Sequence, residues 1–73
     1  MTRERLSHIG QLLYGPRWRD PLSDELRIAE RTVRRWIAGS IPIPDSIKRD
    51  LARLCRERAS ELNAVAKELE ENR

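Results

Sequence analysis

Residues 30–45 read ERTVRRWIAGSIPIPD, and this stretch decides the fold because it contains one short helix and the signals that end it. Over residues 30–38, a rotation of about 100° per residue places Val33, Trp36 and Ile37 on one side of the helix. The opposite side carries Arg31, Arg35 and Ala38, flanked by Thr32 and Arg34. The apolar side is therefore expected to face the core, and the basic side is left for another role.

Glycine and two prolines end this helix. Gly39 is expected to be its left-handed C-cap, a conformation that glycine adopts without a steric penalty. Pro42 and Pro44 each disfavour helix at the preceding residue, so the segment IPIP is expected to be an extended connector. The next helix is predicted to begin near Pro44 or Asp45.

A first helix is predicted upstream, across residues 2–14. Leu6, Ile9 and Leu13 recur there at the three- and four-residue spacing of a helix that is buried on one side. Thr2 is available as its N-cap.

A second short helix is predicted to run to about Leu26. Asp20 is its expected cap, and Pro21 its expected first residue, because a missing N–H costs nothing at that position. Leu22 and Leu26 would face inward. Trp18 is expected to pack against Leu22 at the edge of the core rather than stack on a base.

The last helix is predicted to reach about Glu70, which makes it about 27 residues and roughly 40 Å long, more than a domain of this size can cover. Its first stripe suits the globular core and consists of Ile47, Leu51 and Leu54. A second stripe has the alternating three- and four-residue spacing of a helix-pairing seam. It contains Ala52, Cys55, Ala59, Leu62, Ala66 and Leu69, with Val65 at its flank.

This change of pattern predicts two parts of the chain. Residues 1–58 form a globular domain, and residues 59–73 form a C-terminal helical extension that pairs with a second copy. Dimerisation contacts are therefore predicted for Val65 and for the seam from Cys55 onward. A bend or break near Arg58 would also fit the pattern, and so would a frayed, solvated tail.

With 73 residues, the chain is near the lower size limit for a single hydrophobic core, so self-association is expected. Charged residues make up 37% of the chain, and the net charge of +3 with a pI of about 9.8 favours a polyanionic partner. One cysteine excludes an internal disulfide, and His8 is the only histidine, so no zinc cluster of usual composition can form. Cys55 is expected to be a small buried apolar residue.

Several classes of protein are not expected. The chain has no glycine-rich phosphate loop, no cluster of metal ligands, and no serine or cysteine beside a histidine base. We therefore predict no enzyme, cofactor, metal or small-molecule substrate. No apolar run approaches the roughly 20 residues of a membrane span, and Met1 is followed by a charged segment rather than a signal peptide. The sequence predicts a cytoplasmic, all-α protein of four or five helices.

The segment WRDPLSDELRIAERTVRRWIAGSIPIPDSIKRDLARL, residues 18–54, resembles the helix-turn-helix domains of the phage repressor and Cro (XRE-type) family. It is similar above all to small prokaryotic regulators in which the segment RTVRRW is followed by a glycine and then by two prolines that are separated by one residue. The spacing agrees at Leu22, Ser23, Leu26, Ile28, Val33, Trp36 and Gly39. Arg27 stands where the family often has a turn glycine, which suggests a modified turn. Ala29 stands where Ser or Thr commonly caps the second helix, a loss of about 1 kcal/mol.

This resemblance implies that the second helix of the pair enters the major groove of DNA. The base-reading positions that it implies are Glu30, Arg31, Arg34 and Arg35. The phosphate-contacting candidates are Arg17, Arg19, Thr32 and Ser40. From the charge pattern alone, the alternative is a solvated basic face with no ligand.

The expected function is a sequence-specific DNA-binding transcriptional regulator, a homodimeric repressor of a palindromic operator in double-stranded DNA. Regulators of this kind include autorepressors, such as anti-CRISPR-associated proteins, and antitoxins. The alternative is a protein interaction module whose C-terminal helix binds a larger partner. RNA binding is less favoured, because sequence-specific RNA modules usually expose aromatic residues for stacking.

Overall fold

The computed structural model describes residues 1–71, which form four helices and no strand. The helices are α1 (Arg3–Tyr14), α2 (Arg19–Leu26), α3 (Glu30–Ala38) and α4 (Ile47–Glu71). The first three helices contact one another, and the first half of α4 packs against α1. The expected all-α fold with a long last helix is confirmed.

Local hydrogen bonds set both ends of α1. The hydroxyl of Thr2 accepts a hydrogen bond from the backbone N–H of Arg5 at 3.1 Å, which confirms Thr2 as the N-cap. At the other end, Gly15 has a φ of 82°, and its N–H donates to the carbonyl of Gln11 at 2.8 Å.

α2 begins earlier than the sequence suggested, and the prediction of Asp20 as its cap was wrong. Trp18 occupies the N-cap position without a side-chain cap bond, so Asp20 and Pro21 lie inside the first turn. The first helical hydrogen bond joins the N–H of Leu22 to the carbonyl of Trp18 at 3.0 Å. Pro21 is tolerated because the N–H groups of a first turn have no helical acceptor.

A small apolar core joins the four helices. Leu6 of α1, Leu22 of α2 and Val33 of α3 are fully buried. The other buried apolar residues are Leu13, Trp18, Trp36, Ile47, Leu51 and Leu54. The inward faces that were expected for α3 and for the first stripe of α4 are therefore confirmed.

Trp18 is buried against Gly10 of α1. A Cβ atom placed on Gly10 would lie 2.3 Å from Cε3 and 2.4 Å from Cδ2 of the indole ring. Glycine is the residue that fits at this position without displacing the ring. The packing role expected for Trp18 is confirmed, and α1 supplies a partner that the sequence did not indicate.

We expect Gly10→Ala to destabilise the fold by about 1 to 3 kcal/mol, because the added methyl group overlaps an indole ring enclosed by the core. This loss should exceed the gain in helix propensity, roughly 1 kcal/mol. Denaturant unfolding followed by circular dichroism measures the change. As a control, Trp18→Leu in the Gly10→Ala protein should relieve the overlap, so the two substitutions should be less than additive. A Gly10→Ala protein more stable than the parent would contradict this packing.

α4 begins at Ile47 rather than near Pro44 or Asp45. The N–H of Ile47 donates to the carbonyl of Pro44 at 3.4 Å, and that of Lys48 to the carbonyl of Asp45 at 3.1 Å. These hydrogen bonds span three residues rather than four, so a tighter turn leads into the helix. The predicted start was early by this one turn.

α4 is a continuous helix through Arg58, so the break that the sequence allowed there does not occur. Nη1 of Arg58 donates to the carbonyl of Leu13 at 2.7 Å, and its guanidinium lies 5.4 Å from the centre of the Tyr14 ring. Arg58 thereby holds α4 against the end of α1. Burial raises the pKa of the Tyr14 phenol, and the Glu25 carboxylate raises it further, so the phenol is neutral at neutral pH.

Beyond Arg58, α4 leaves the core, and every residue from 59 to 71 is exposed. Cys55 is also exposed, so the expectation that it is buried was wrong. It lies at the edge of the core-facing stripe, where it lines a groove between α1 and α4. The division of the chain at residue 58 remains a prediction.

Candidate nucleic-acid interface

α2 and α3 pack together beside a buried serine. Ser23 is 2% exposed, and its hydroxyl donates to the carbonyl of Asp20 at 2.8 Å. The hydroxyl is thus satisfied within its own helix, and its small size leaves room for the neighbouring helix. Ser23 is one of the positions at which the spacing agrees with the family that the sequence resembles.

The turn between α2 and α3 contains a non-glycine residue in the left-handed conformation. Arg27 has φ 57° and ψ 45°, and its N–H donates to the carbonyl of Asp24 at 3.2 Å. The N–H of Ile28 donates to the carbonyl of Ser23 at 3.0 Å. The modified turn suggested by the sequence is therefore not needed, since the arginine itself adopts a conformation that glycine favours.

We expect Arg27→Gly to stabilise the fold by about 1 kcal/mol, because the left-handed conformation strains an L-residue and does not strain glycine. Arg27→Ala is the matched control, since it removes the same charge but keeps the strained conformation. Its free energy of unfolding should stay near that of the parent in the same denaturant titration. If Arg27→Gly is the less stable of the two variants, the left-handed turn is wrong.

α3 has the predicted bounds and the predicted C-cap, with Gly39 at a φ of 80°. At its start, Ala29 makes no side-chain cap bond, so the loss of a cap is confirmed. Glu30 places negative charge in the first turn, where it interacts favourably with the helix dipole. Its Oε2 lies 2.7 Å from Nη2 of Arg34, one turn further along the same helix.

The exposed side of α3 is basic. Arg31, Arg34 and Arg35 are exposed, whereas Val33 and Trp36 on the other side are buried. Among the salt bridges within residues 1–71, one involves this side, and it joins Arg34 to an acidic residue of the same helix. Arg31 and Arg35 therefore present positive charge to solvent that no salt bridge among the described residues compensates.

The residues expected to contact phosphate lie at the start of α2, on α3 and just beyond α3. Arg17 and Arg19 are exposed at the start of α2, and the guanidinium of Arg19 lies 5.4 Å from the centre of the Trp18 ring. Thr32 is half-buried on α3. Ser40 is exposed, and its N–H donates to a carbonyl in the last turn of α3 at 2.9 Å. Their contacts with a ligand remain predictions.

Arg3 is a residue near this site that the sequence did not reveal. Its Nη1 donates to the carbonyl of Ile37 at 3.5 Å and lies 3.0 Å from a Cβ placed on Gly39. A cation from α1 thus sits at the carboxyl end of α3, where the helix dipole is negative. No local pattern could have indicated this, because 34 residues separate the two partners.

The exposed arginines of α3 are suited to binding anions and hydrogen-bond acceptors. Guanidinium groups donate planar pairs of hydrogen bonds that match anions and paired acceptor atoms. Within residues 1–71, no set of three or more His, Cys, Asp or Glu side chains is placed to hold a metal ion. In the same part of the chain, no helix has both the length and the apolarity to cross a membrane.

Two consecutive short helices joined by a tight turn, the second with a basic exposed face, define a small all-helical protein of the helix-turn-helix type. A model of the Aca2/YdiL-like family matches residues 25–73, well over half of the chain. The chain therefore belongs to the Aca2/YdiL-like family, which is associated with regulatory, anti-CRISPR-associated proteins. This supports a small regulator, though not specifically a member of the phage repressor and Cro family. No curated protein and no solved structure gives a match.

Proposed function

We propose that the protein is a sequence-specific DNA-binding transcriptional regulator that acts as a homodimeric repressor. The observation that carries this proposal is the placement of Arg31, Arg34 and Arg35 on the exposed side of α3, opposite buried Val33 and Trp36. Membership of a family of regulators supports it. Regulation of its own gene, as in an anti-CRISPR-associated autorepressor, is the form of the proposal that this family favours.

In this proposal, α3 enters the major groove and reads base edges. Within residues 1–71, Arg31 and Arg35 have no acidic partner to displace. The guanidinium of each can therefore donate a pair of hydrogen bonds to O6 and N7 of a guanine. Glu30 and Arg34 form a pair 2.7 Å apart, and Glu30 can accept a hydrogen bond from cytosine N4 if that pair opens. Because Glu30 and Arg34 pair with each other, we expect them to contribute less to base recognition than Arg31 and Arg35.

Contacts with the DNA backbone would orient the protein. The start of α2 combines unpaired first-turn N–H groups with the exposed side chains of Arg17 and Arg19. Such contacts neutralise phosphates without reading sequence, so they add affinity and make it fall with salt. Thr32 and Ser40 are the polar candidates on and just beyond α3.

The homodimer is proposed from the exposed apolar side chains of the last helix. Leu62 is 61% exposed, Val65 48% and Leu69 69%. Nothing among residues 1–71 covers them, and large apolar side chains in one line are costly in water. A second copy would cover them, double the phosphate contacts and bring two α3 helices to the two halves of a palindromic operator.

We expect Arg35→Ala to weaken binding to the specific operator by about 1 to 3 kcal/mol and to relax preference at one base pair, as for a lost bidentate contact. Selection of bound duplexes from a random pool first identifies the operator. Mobility shift with that operator and with random duplex, at one physiological salt concentration, then measures both affinities.

Arg53→Ala is the matched control for this test. Arg53 is an exposed arginine of α4 that pairs with Glu57 at 3.1 Å, so its loss removes the same charge away from α3. It should leave sequence preference unchanged. If Arg35→Ala instead weakens operator and random DNA by equal factors, Arg35 contacts phosphate and its base-reading role is wrong.

A protein interaction module remains the second candidate, because the same exposed residues of α4 could bind a different protein. Salt dependence separates the two functions. Neutralised phosphates make the logarithm of DNA affinity fall steeply with the logarithm of salt concentration, whereas a helix packed in an apolar groove shows no such slope. A parent protein that selects no sequence from the random pool would favour the module.

A further inference from the structure

The seam on α4 continues into an apolar groove on the globular domain. The seam consists of Ala52, Cys55, Ala59, Leu62, Ala66 and Leu69. At its N-terminal end, Ala52 and Cys55 also line a groove between α1 and α4, together with Ile9 and Leu12. Leu12 is 73% exposed. Seam and groove thus form one exposed apolar surface.

The seam is divided by side-chain size. Its first half holds the small residues Ala52, Cys55 and Ala59, and its second half holds both leucines. In a parallel pair of α4 helices, each residue faces its own copy, so small side chains face small ones and leave gaps. In an antiparallel pair centred between residues 60 and 61, Leu69 faces Ala52 and Leu62 faces Ala59. Both leucines then meet alanines, and such pairing of large with small side chains is how helix interfaces reach native packing density.

The charges of α4 are divided in the same place. Residues 47–58 contain five basic and two acidic residues: Lys48, Arg49, Arg53, Arg56 and Arg58 against Asp50 and Glu57. Residues 59–71 contain one basic and four acidic residues: Lys67 against Glu61, Glu68, Glu70 and Glu71. A parallel pair places like charge against like charge, whereas an antiparallel pair places the basic half against the acidic half. Complementary charge of this kind selects the orientation of paired helices.

We infer that two copies pair through antiparallel α4 helices, with the C-terminal half of each α4 lying against the α1–α4 groove of the other copy. Leu69 of one copy packs beside Ala52 and Leu12 of the other, which gives the exposed Leu12 a partner. The two globular domains then lie at opposite ends of the pair, with their Ala52 residues about 26 Å apart along the helix axis. This inference rests on the homodimer of the proposed function and specifies its geometry.

Cysteine crosslinking tests the orientation. In the antiparallel pair, Cys55 of one copy faces Ala66 of the other. The Cys55 residues of the two copies are about 16 Å apart along the helix axis, and the Ala66 residues of the two copies are separated by the same distance. Three full-length proteins are treated with a bismaleimide shorter than 10 Å: the parent, Ala66→Cys, and the double variant Cys55→Ala with Ala66→Cys. We expect covalent dimer from Ala66→Cys and none from the two proteins with a single cysteine. All the substituted positions are exposed, so loss of folding does not confuse the result.

Other crosslinking patterns overturn the inference. Covalent dimer from the parent and from the double variant would show that the helices pair in parallel. Covalent dimer from none of the three proteins would show that the seam does not pair. Ala64→Cys is the matched control, because position 64 lies on the opposite side of α4 and should give no crosslink with Cys55. A DNA mobility shift assay on the same samples tests the proposed function separately from the proposed helix orientation. A parallel pattern with specific DNA binding refutes this geometry alone, and the expected pattern without DNA binding refutes the proposed function alone.

Discussion

Replacing Trp36 with alanine is expected to destabilise the fold by about 3 to 5 kcal/mol, the usual cost of removing a buried aromatic side chain. Trp36 is 4% exposed and belongs to the core that joins α3 to the other helices. At 0.05 to 0.15 kcal/mol per residue, a chain of this length has a total stability of roughly 4 to 11 kcal/mol. The substitution therefore removes a large part of that stability, and much of the protein should be unfolded at 37 °C.

Circular dichroism on heating, and denaturant titration, measure this loss. Leu12→Ala is the matched control, because it truncates a large apolar side chain that is 73% exposed in the single copy, and its effect in dilute protein should be much smaller. The apparent DNA affinity of Trp36→Ala should fall only in proportion to the fraction of the protein that is folded. A well-folded Trp36→Ala protein with weakened DNA binding would mean that the indole belongs to the binding surface.

Replacing Leu62 with glutamate is expected to dissociate the proposed dimer. Leu62 is 61% exposed in the single copy, and burial in the seam would contribute roughly 1.5 to 3 kcal/mol for each copy. The variant loses this contribution twice and introduces two carboxylates that the seam cannot solvate. The fold of the globular domain should persist, because residues 59–71 contribute no buried residue to it.

Sedimentation equilibrium of the parent and of the variant tests this prediction. Ala64→Glu is the matched control, since it adds the same charge to the opposite side of α4 and should leave the dimer intact. Operator affinity should fall steeply in Leu62→Glu and little in Ala64→Glu, because a monomer contacts one half-site only. If the parent is itself a monomer, or if Leu62→Glu dimerises as strongly as the parent, the seam is not the interface.

The elements that could be predicted from the sequence are those that depend on neighbouring residues. The bounds of α3, the N-cap at Thr2 and the C-cap at Gly39 were predicted correctly. Helical periodicity and capping involve residues within about four positions of one another, so a short window contains the necessary information. For the same reason, the exposure of the α3 arginines followed from the burial of Val33 and Trp36 on the same helix.

Tertiary structure decided how distant segments meet. The sequence favours a core role for Trp18, but the fold alone places its ring against Gly10 and begins α2 at Arg19. The left-handed conformation of Arg27 is likewise one that arginine disfavours. Packing of α2 on α3 determines the backbone there.

Hydrogen bonds from two arginines show most clearly why contacts between distant segments could not be predicted from the sequence. Arg58 donates to the carbonyl of Leu13 across 45 residues, and Arg3 donates to that of Ile37 across 34. Each guanidinium could reach many carbonyls in an unfolded chain, and no periodicity or cap distinguishes the one it binds. The choice is made when the small core forms around Leu6, because packing of the helices then fixes which helix ends lie side by side.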